Sequence, residues 1–262
     1  MSVARRLTIV VPYRDRSGHF DQFVPHLRAY FARDKVDRVI PYRALIIEQE
    51  PGLPFNRGAL KNIGFALGRE WGDYTCFHDV DYLPVWADYS WAPLPTRIVS
   101  YGAEERPLAP GRSMMAMTHD LTTFFGGAVL APNPAFAAVN GYSNQFWGWG
   151  CEDSDLRRRY GAAGIGVDSR DGTFIALDHD HDGYTPEGNA RAIATVNRSL
   201  LEAKWAAGGG AADDGLSSLS FDIRDRRPIP DPAPEREAAW ELVTVRLGTR
   251  PSPEQVEALA GS

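Results

Sequence analysis

Short apolar runs alternate with amphipathic stretches through the first third of the chain, and this alternation constrains the fold more than any other feature. Residues 7–11, 44–47 and 74–77 are β-prone runs, and the two segments between them carry apolar residues at helical spacing. The first of these segments follows Ser17, a possible helix cap. This order predicts an α/β protein with a mostly parallel central sheet, helices on both faces, and ligands at the carboxyl ends of the strands.

The later part of the chain is less regular than the first part. Residues 127–130 and 173–177 have the composition of strands, and residues 190–205 have helical spacing. We therefore expect further strands and at least one more helix to complete the α/β body.

The length of the chain favours one domain. A chain of 262 residues can bury a substantial core, and we place a single domain at residues 1–227. Residues 228–262 are predicted to be a Pro-rich linker and a C-terminal helical tail. In that tail, residues 235–247 could form an amphipathic helix that docks on the body.

Composition excludes some classes of partner. The net charge of −6 and a sequence pI near 5.5 provide no basic footprint for nucleic acid or an anionic membrane. No apolar run has the length of a transmembrane helix, and the first six residues are too short for a secretory signal. Two cysteines, Cys76 and Cys151, do not suggest a disulfide scaffold. We expect reduced thiols and a cytoplasmic protein.

Two carboxylates follow the third predicted strand, in Asp79-Val80-Asp81. The carboxyl end of a buried strand is where an α/β sheet presents ligands for a metal-bound phosphate. Triplets of this kind are also frequent in turns and helix caps, where the carboxylates accept backbone N–H groups. The triplet gains weight from the other polar motifs of the chain.

The ends of the first two strands carry aromatic and basic residues. Residues 12–16 contain a proline, a tyrosine and two arginines. Phe55-Asn56-Arg57, before the second predicted helix, likewise combines an aromatic residue with an arginine. An aromatic face can stack on a nucleobase, and arginines are forked donors for phosphate or carbonyl oxygens. A solvated turn that ends at Pro12 is the alternative for the first of these segments.

These motifs occur in the order seen in the β-1,4-galactosyltransferases, and the chain resembles that family from about Thr8 to Ile223. The most specific match is residues 147–153, Trp-Gly-Trp-Gly-Cys-Glu-Asp, and Phe125-Gly126-Gly127 is a further match. His179-Asp180-His181 is similar to the His-x-His metal pair of the xylosylprotein galactosyltransferase branch. Residues 215–219 resemble the C-terminal strand of that branch.

The resemblance implies a GT-A fold for residues 1–227, a UDP-galactose donor, Mn²⁺, and inverting transfer to a hydroxyl of a sugar or glycoconjugate acceptor. It implies that the donor is bound by Pro12, Tyr13, Arg14, Arg16, Phe55, Arg57, Asp79, Val80, Asp81, Gly127 and Trp149. The implied metal ligands are Asp81, His179 and His181. The implied acceptor contacts are Phe124, Trp149, Glu152 and Asp153.

The chemistry of the residues agrees with these roles. A divalent cation stabilises the charge that develops on a diphosphate leaving group, and a mixed set of carboxylate and imidazole ligands suits Mn²⁺ better than Ca²⁺ or Mg²⁺. Inverting displacement needs a base at the acceptor hydroxyl, for which Asp153 is the candidate and Glu152 the next. These two carboxylates also suit a cap of the following helix, and His179-Asp180-His181 also suits a polar loop.

Departures from the family pattern leave alternatives open. Phe124 stands where the lactose-synthase type has a tyrosine beside the 2-substituent of the sugar, so UDP-N-acetylgalactosamine is an alternative donor. A GT-A transferase that uses that donor or UDP-glucuronic acid in polysaccharide synthesis is the nearest rival. A non-catalytic carbohydrate-binding protein is the alternative of a different class.

Overall fold

The computed structural model describes residues 4–33, 40–99, 101–109, 112–118, 125–177, 189–209, 211–230 and 239–260. The strands are β1 (Leu7–Tyr13), β2 (Tyr42–Gln49), β3 (Tyr74–His78), β4 (Tyr82–Ala87), β5 (Thr96–Arg97), β6 (Tyr101–Ala109), β7 (Arg112–Thr118), β8 (Ala128–Pro132), β9 (Asp168–Ser169), β10 (Gly172–Leu177), β11 (Phe221–Pro228) and β12 (Trp240–Leu247). The helices are α1 (Ser17–Ala32), α2 (Arg57–Gly68), α3 (Asn133–Ala138), α4 (Glu152–Ala162), α5 (Asn189–Ala206) and α6 (Pro253–Ala260).

A central sheet of eight strands has the order β11-β12-β2-β1-β3-β8-β5-β9. The four strands β12, β2, β1 and β3 run parallel to their neighbours in this series, whereas β11 and β8 pair antiparallel at its two sides. The predicted α/β class with a mostly parallel central sheet is confirmed. A second, antiparallel sheet has the order β4-β10-β7-β6.

The core lies on both faces of the central sheet because side chains of a strand alternate between its faces. Ile9 of β1 packs in the same buried cluster as Phe23 of α1, whereas its neighbour Val10 packs with Ile63 of α2 in a second cluster. Helix α2 lies close to the sheet at Gly64, where a β-carbon would collide with the Val10 side chain. The expectation of helices on both faces is confirmed.

The prediction of a helix at residues 235–247 is wrong for its second part. Residues 240–247 form β12, which lies between β2 and β11 in the central sheet. Trp240 and Leu242 enter one buried cluster, and Val243 and Val245 enter the other, so this run buries both of its faces. The apolar run is therefore a strand of the body, and the helical part of the tail is α6.

Two smaller expectations are also corrected. Ser17 is the first residue of α1 rather than its cap, and the cap position is Arg16, which makes no capping side-chain bond. Residues 215–219 do not form a strand, because Leu216–Ser218 is a short 3₁₀ turn after Gly215, which has a φ of 139°. Neither Cys76 nor Cys151 forms a disulfide. Within the described ranges, no helix is long and apolar enough to cross a bilayer.

Candidate active site

The carboxyl ends of β1 and β3 bring two of the predicted motifs together. Arg16, which follows β1, places Nη1 3.2 Å from Asp81 Oδ2. The backbone N–H of Asp79 donates to the carbonyl oxygen of Gly127 at 2.7 Å, which ties the segment after β3 to the start of β8. The parallel pairing of β1 and β3 brings these ends to one edge of the sheet, as the sequence predicts.

The start of α2 is held in place by its cap. Asn56 Oδ1 accepts the N–H of Ala59 at 2.9 Å, and the Asn56 N–H donates to Gln49 Oε1 at 2.8 Å. Arg57, the first residue of the helix, places Nη1 3.0 Å from Glu152 Oε1 and 3.7 Å from Asp79 Oδ2. One guanidinium therefore joins the Asp79 segment to the start of α4.

Lys61 stands one turn further along α2 and was not identified from the sequence. Its Nζ lies 3.2 Å from Asp153 Oδ1, 3.8 Å from Asp79 Oδ1 and 4.8 Å from the centre of the Tyr142 ring. The residue is only 1% exposed. A lysine in a largely apolar helix, four residues after Arg57, was the available sequence signal.

The tryptophan loop, residues 147–151, leads into α4 through a left-handed residue, Cys151, with a φ of 78°. Asn197 Nδ2 of α5 donates to the carbonyl oxygens of Trp147 and Trp149, both at 3.0 Å, and the Gly148 N–H donates to the Phe55 carbonyl at 2.7 Å. Trp147 is buried, whereas Trp149 is 53% exposed. The loop backbone is thus held from two sides while the Trp149 ring faces solvent.

Asp153 has a raised pKa, which sets it apart from its neighbour Asp79. Burial, opposed by the cation of Lys61 and assisted by the negative charges of Glu152 and Asp79, raises the pKa of Asp153 to about 6. Burial also opposes ionisation of Asp79, but Arg57 and Lys61 together hold the pKa of Asp79 below its ordinary value. The pKa values of these two carboxyl groups are therefore shifted in opposite directions, which is typical of sites that perform acid–base chemistry.

The helix that carries Asp153 is anchored by a buried ion network. Asp155 accepts from Arg159 Nε at 2.6 Å and from Lys204 Nζ at 3.1 Å. Asp214 accepts from the same two cations, Arg159 Nη2 at 3.0 Å and Lys204 Nζ at 2.8 Å, and also from the Asn144 N–H. These contacts hold the start of α4 against α5 and the loop after α3.

His78 has a structural role that the sequence did not reveal. Its Nδ1 lies 2.8 Å from the Asp79 carbonyl oxygen, and its Nε2 lies 2.9 Å from the Tyr89 hydroxyl. Burial lowers the pKa of His78 to about 4, so the ring is neutral at neutral pH. The neutral ring donates to the Asp79 carbonyl and supports the backbone of the acidic triplet.

The residues predicted to surround a nucleoside lie at the ends of β1 and β2. Arg14 donates to the Leu53 carbonyl, and its guanidinium lies 5.4 Å from the centre of the Phe55 ring. Tyr13 is only 8% exposed and packs on Phe20 with ring centres 5.4 Å apart. Pro12 and Val80 are also buried.

The remaining predicted site residues, Phe124, His179 and His181, lie outside the described residues. In the part of the chain that is described, no group of three or more His, Cys, Asp or Glu side chains gathers as a metal site. Asp79 Oδ1 is buried and accepts no hydrogen bond from the described residues, although Lys61 Nζ lies 3.8 Å from it, so this oxygen can still accept a hydrogen bond from a hydroxyl.

Solved structures share this architecture. The catalytic domain of Drosophila β-1,4-galactosyltransferase 7 in complex with xylobiose aligns with a TM-score of 0.71 at 24% identity, over 94% of this chain and 95% of that one. A mutant of the same enzyme in complex with manganese, UDP-Gal and xylobiose aligns with a TM-score of 0.70. The expected GT-A fold is confirmed.

Sequence relatives carry names from one family. Human β-1,4-galactosyltransferase 7 is 28% identical over 228 residues, which are 86% of this chain and 63% of the relative. Human β-1,4-galactosyltransferase 4 is 36% identical over 227 residues, which are 84% of this chain and 59% of the relative. Drosophila β-1,4-galactosyltransferase 7 is 31% identical over 183 residues, which are 68% of this chain and 53% of the relative. The chain thus spans less than two thirds of the length of these curated relatives.

Two protein-family models match successive parts of the chain, with residues 91–106 between them. One, described as the N-terminal region of glycosyl transferase group 7, matches residues 2–90. The other, described as the N-terminal domain of galactosyltransferase, matches residues 107–181. Together these ranges span more than half of the chain, and they contain the acidic triplet and the tryptophan loop with its two carboxylates. The chain belongs to the β-1,4-galactosyltransferase family, close to the xylosylprotein branch.

Proposed function

We propose that the protein is an inverting, Mn²⁺-dependent galactosyltransferase that moves galactose from UDP-galactose to a hydroxyl of a sugar or glycoconjugate acceptor, forming a β-linkage. The observation that carries the proposal is the placement of Asp153 at the rigid start of α4, 3.2 Å from Lys61 and with its pKa raised to about 6. A general base works best when its pKa lies near the working pH. The names of the curated relatives and the ligands of the structural neighbour support the choice of donor.

Asp153 is the residue that takes the proton of the acceptor hydroxyl. Glu152, whose carboxylate is 3.0 Å from Arg57, is oriented by that arginine and contacts the acceptor beside it. Trp149, exposed on the loop before α4, walls the acceptor pocket and donates its indole N–H to the donor. The nucleoside of the donor binds beside the side chains of Arg14, Phe55 and Tyr13.

Mn²⁺ is the proposed cofactor, and it would stabilise the negative charge that develops on the departing diphosphate. The described residues offer one ligand for such an ion, since Asp81 supplies a carboxylate at the strand edge, where Arg16 Nη1 lies 3.2 Å from its Oδ2. The N–H of Leu177 donates to the Asp81 carbonyl at 2.7 Å. We assign His179 and His181, which follow Leu177 in the sequence, as the imidazole ligands of this ion because the His-x-His motif resembles the metal pair of the xylosylprotein branch.

A donor screen tests the proposal without knowledge of the acceptor. The protein is incubated with Mn²⁺ and, separately, UDP-galactose, UDP-N-acetylgalactosamine, UDP-glucose and UDP-glucuronic acid, and release of UDP is measured with and without xylobiose. We expect UDP-galactose to turn over fastest, and chelation of the metal to abolish the reaction. A preference for another donor would support the corresponding rival transferase, and absence of turnover with every donor would contradict a transferase.

A further inference from the structure

Lys61 is a buried cation at the centre of the site, and none of the roles assigned so far includes it. It is 1% exposed, although lysine is seldom fully buried unless it is paired. Its Nζ meets two carboxylates that are distant in sequence, Asp153 at 3.2 Å and Asp79 at 3.8 Å, and the face of Tyr142. The ammonium group is therefore placed to pair with these two carboxylates.

The charges at this position explain what the lysine does. Three carboxylates, Asp79, Glu152 and Asp153, crowd the space between α2, α4 and the end of β3. Arg57 contacts Glu152 and Asp79 but makes no described contact with Asp153 shorter than 4 Å. Because Arg57 and Lys61 are four residues apart, they project from one face of α2. Both contact Asp79, but only Arg57 contacts Glu152 and only Lys61 contacts Asp153.

We propose that Lys61 is a positioning residue that keeps the Asp153 carboxylate ionised and fixes its Oδ1, so that the other carboxylate oxygen is directed to the acceptor hydroxyl. The inference rests on the proposed function and specifies how its base is held. In the reaction, the hydroxyl proton passes to Asp153 while the acceptor oxygen forms a bond to the anomeric carbon. The bond from that carbon to the UDP oxygen breaks, and its electron pair leaves with the diphosphate. Lys61 keeps its own protons throughout.

Among the described residues, charged and titratable groups face Asp153 from each of the elements named here. Helix α2 contributes Lys61 and Arg57, the segment after β3 contributes Asp79, and α4 itself contributes Glu152. The loop after α3 contributes Tyr142, whose pKa is raised well above its ordinary value by burial, with the Asp153 charge as a further cause, so it stays neutral. Among these groups only Lys61 and Arg57 favour the ionised carboxylate, and Lys61 is the cation in contact with it.

The test is the pH dependence of turnover in Lys61→Met, which keeps the length of the side chain and removes its charge. Loss of a cation next to a carboxylate raises the pKa of that carboxylate by about one to three units. We therefore expect the acid limb of the kcat profile to move to higher pH by that amount. At pH 6 the turnover should fall roughly tenfold or more and should recover toward pH 9, while KM for UDP-galactose changes little. Lys61→Arg, which restores the charge, should move the limb back toward wild type.

Lys204→Met is the matched control, because Lys204 is also a lysine between two carboxylates, Asp155 and Asp214, and its side chain is only 9% exposed. It should lower stability and leave the position of the acid limb unchanged. If Lys61→Met fails to fold, Lys61→Gln carries the same expectation. An acid limb at the wild-type pH in a folded Lys61→Met or Lys61→Gln protein would overturn the inference and leave the proposed function intact.

A direct titration separates the inference from the proposed function. The side-chain carboxyl carbon of Asp153 is followed by ¹³C NMR in wild type and Lys61→Met, with Asp153→Asn used for the assignment. If the wild type transfers no sugar, the proposed function fails, and the titration still decides whether Lys61 holds Asp153 ionised. An unchanged Asp153 titration in Lys61→Met would overturn that role, and a shift to higher pH would support it.

Discussion

Gln255 Nε2 of α6 lies 2.8 Å from Asn197 Oδ1 of α5. This contact fixes the orientation of the Asn197 amide, whose Nδ2 donates to the carbonyl oxygens of Trp147 and Trp149. Gln255 also donates to the Gln145 carbonyl at 2.9 Å. The C-terminal helix therefore helps to hold the tryptophan loop and the residue just before it, although Gln255 and Gln145 are 110 residues apart in sequence.

The first prediction concerns this connection. Asn197→Leu removes the donor to three carbonyl groups of the loop and should lower the free energy of unfolding by about 1–3 kcal/mol, because these carbonyls lose their partner and the bond to the Trp147 carbonyl is buried. Hydrogen exchange should accelerate in residues 147–151 more than in β1 or β3. The exposed Arg226→Ala serves as the control, since it breaks only a surface ion pair with Glu241. Equal protection of the loop in wild type and Asn197→Leu would show that the clamp is unimportant.

The second prediction concerns the base. Asp153→Asn keeps the size of the side chain but cannot take a proton, so transfer should fall at least about a hundredfold while UDP binding survives. Steady-state kinetics and calorimetry measure the two effects. In the wild type, activity should decline as pH falls through about 6, because the active form of Asp153 is the ionised one. Near-normal turnover by folded Asp153→Asn would leave Asp153 with the capping role alone, and Glu152 would be the next candidate.

The control for that variant is Asp155→Asn. Asp155 is buried and accepts from Arg159, Lys204 and the Trp205 indole, so its loss should destabilise the fold rather than change the base. The acid limb of the pH profile should keep its position in this variant, and the midpoint of urea unfolding should fall.

The third prediction concerns the metal. Asp81→Ala, and separately the double change His179→Ala with His181→Ala, should abolish Mn²⁺-dependent binding of UDP, because each removes proposed ligands. Calorimetry with UDP in the presence and absence of Mn²⁺ measures this directly. His19→Ala, a change of a half-buried histidine in the first turn of α1, is the control and should bind like wild type. Unchanged affinity in the double variant would mean that the two histidines belong to a polar loop without a ligand role.

The fourth prediction concerns stability and pH. The pKa of His78 is about 4 in the folded protein, below the ordinary value of 6.5, so the unfolded chain binds more protons between these values. The stabilisation from neutral His78 is therefore fully present above pH 6.5 and is lost as pH falls toward 4, by about 3 kcal/mol in total. The raised pKa of Asp153 has the opposite effect on stability in this pH window, because the folded protein binds the proton of that carboxyl more tightly than the unfolded chain does. The contribution of His78 is therefore measured as a difference between the wild type and a His78 variant.

Urea unfolding from pH 4 to 7 in wild type and His78→Gln isolates the histidine. The difference in unfolding free energy between the two proteins should grow as pH rises through this window, since only the wild type gains from the neutral ring. A difference that does not change with pH would show that His78 does not titrate below its ordinary range.

Much of the fold follows from local patterns in the sequence. The period of apolar residues identifies β1, β2 and β3 as strands and the segments between them as helices, because a side-chain period of two or 3.6 is a property of neighbouring residues. Parallel strands joined by helices must present their carboxyl ends at one edge. The sequence therefore predicted that the segments after β1 and β3 would meet at one edge of the sheet, and in the structure Arg16 and Asp81 of these segments lie 3.2 Å apart.

Contacts between distant segments were decided only by the tertiary structure. Residues 240–247 have an apolar pattern that could belong to a helix or a strand, and their place between β2 and β11, with both faces buried, makes them a strand. Lys61 looks like an ordinary helix lysine until α2 packs beside α4 and the end of β3. Its ammonium then meets Asp153 and Asp79, which are 92 and 18 residues away along the chain, and burial makes those charges interact strongly. Local periodicity thus determined the elements of this protein, whereas the pairing of its buried charges depended on which elements pack together, since the strength of a charge interaction is set by distance and solvent exclusion in space.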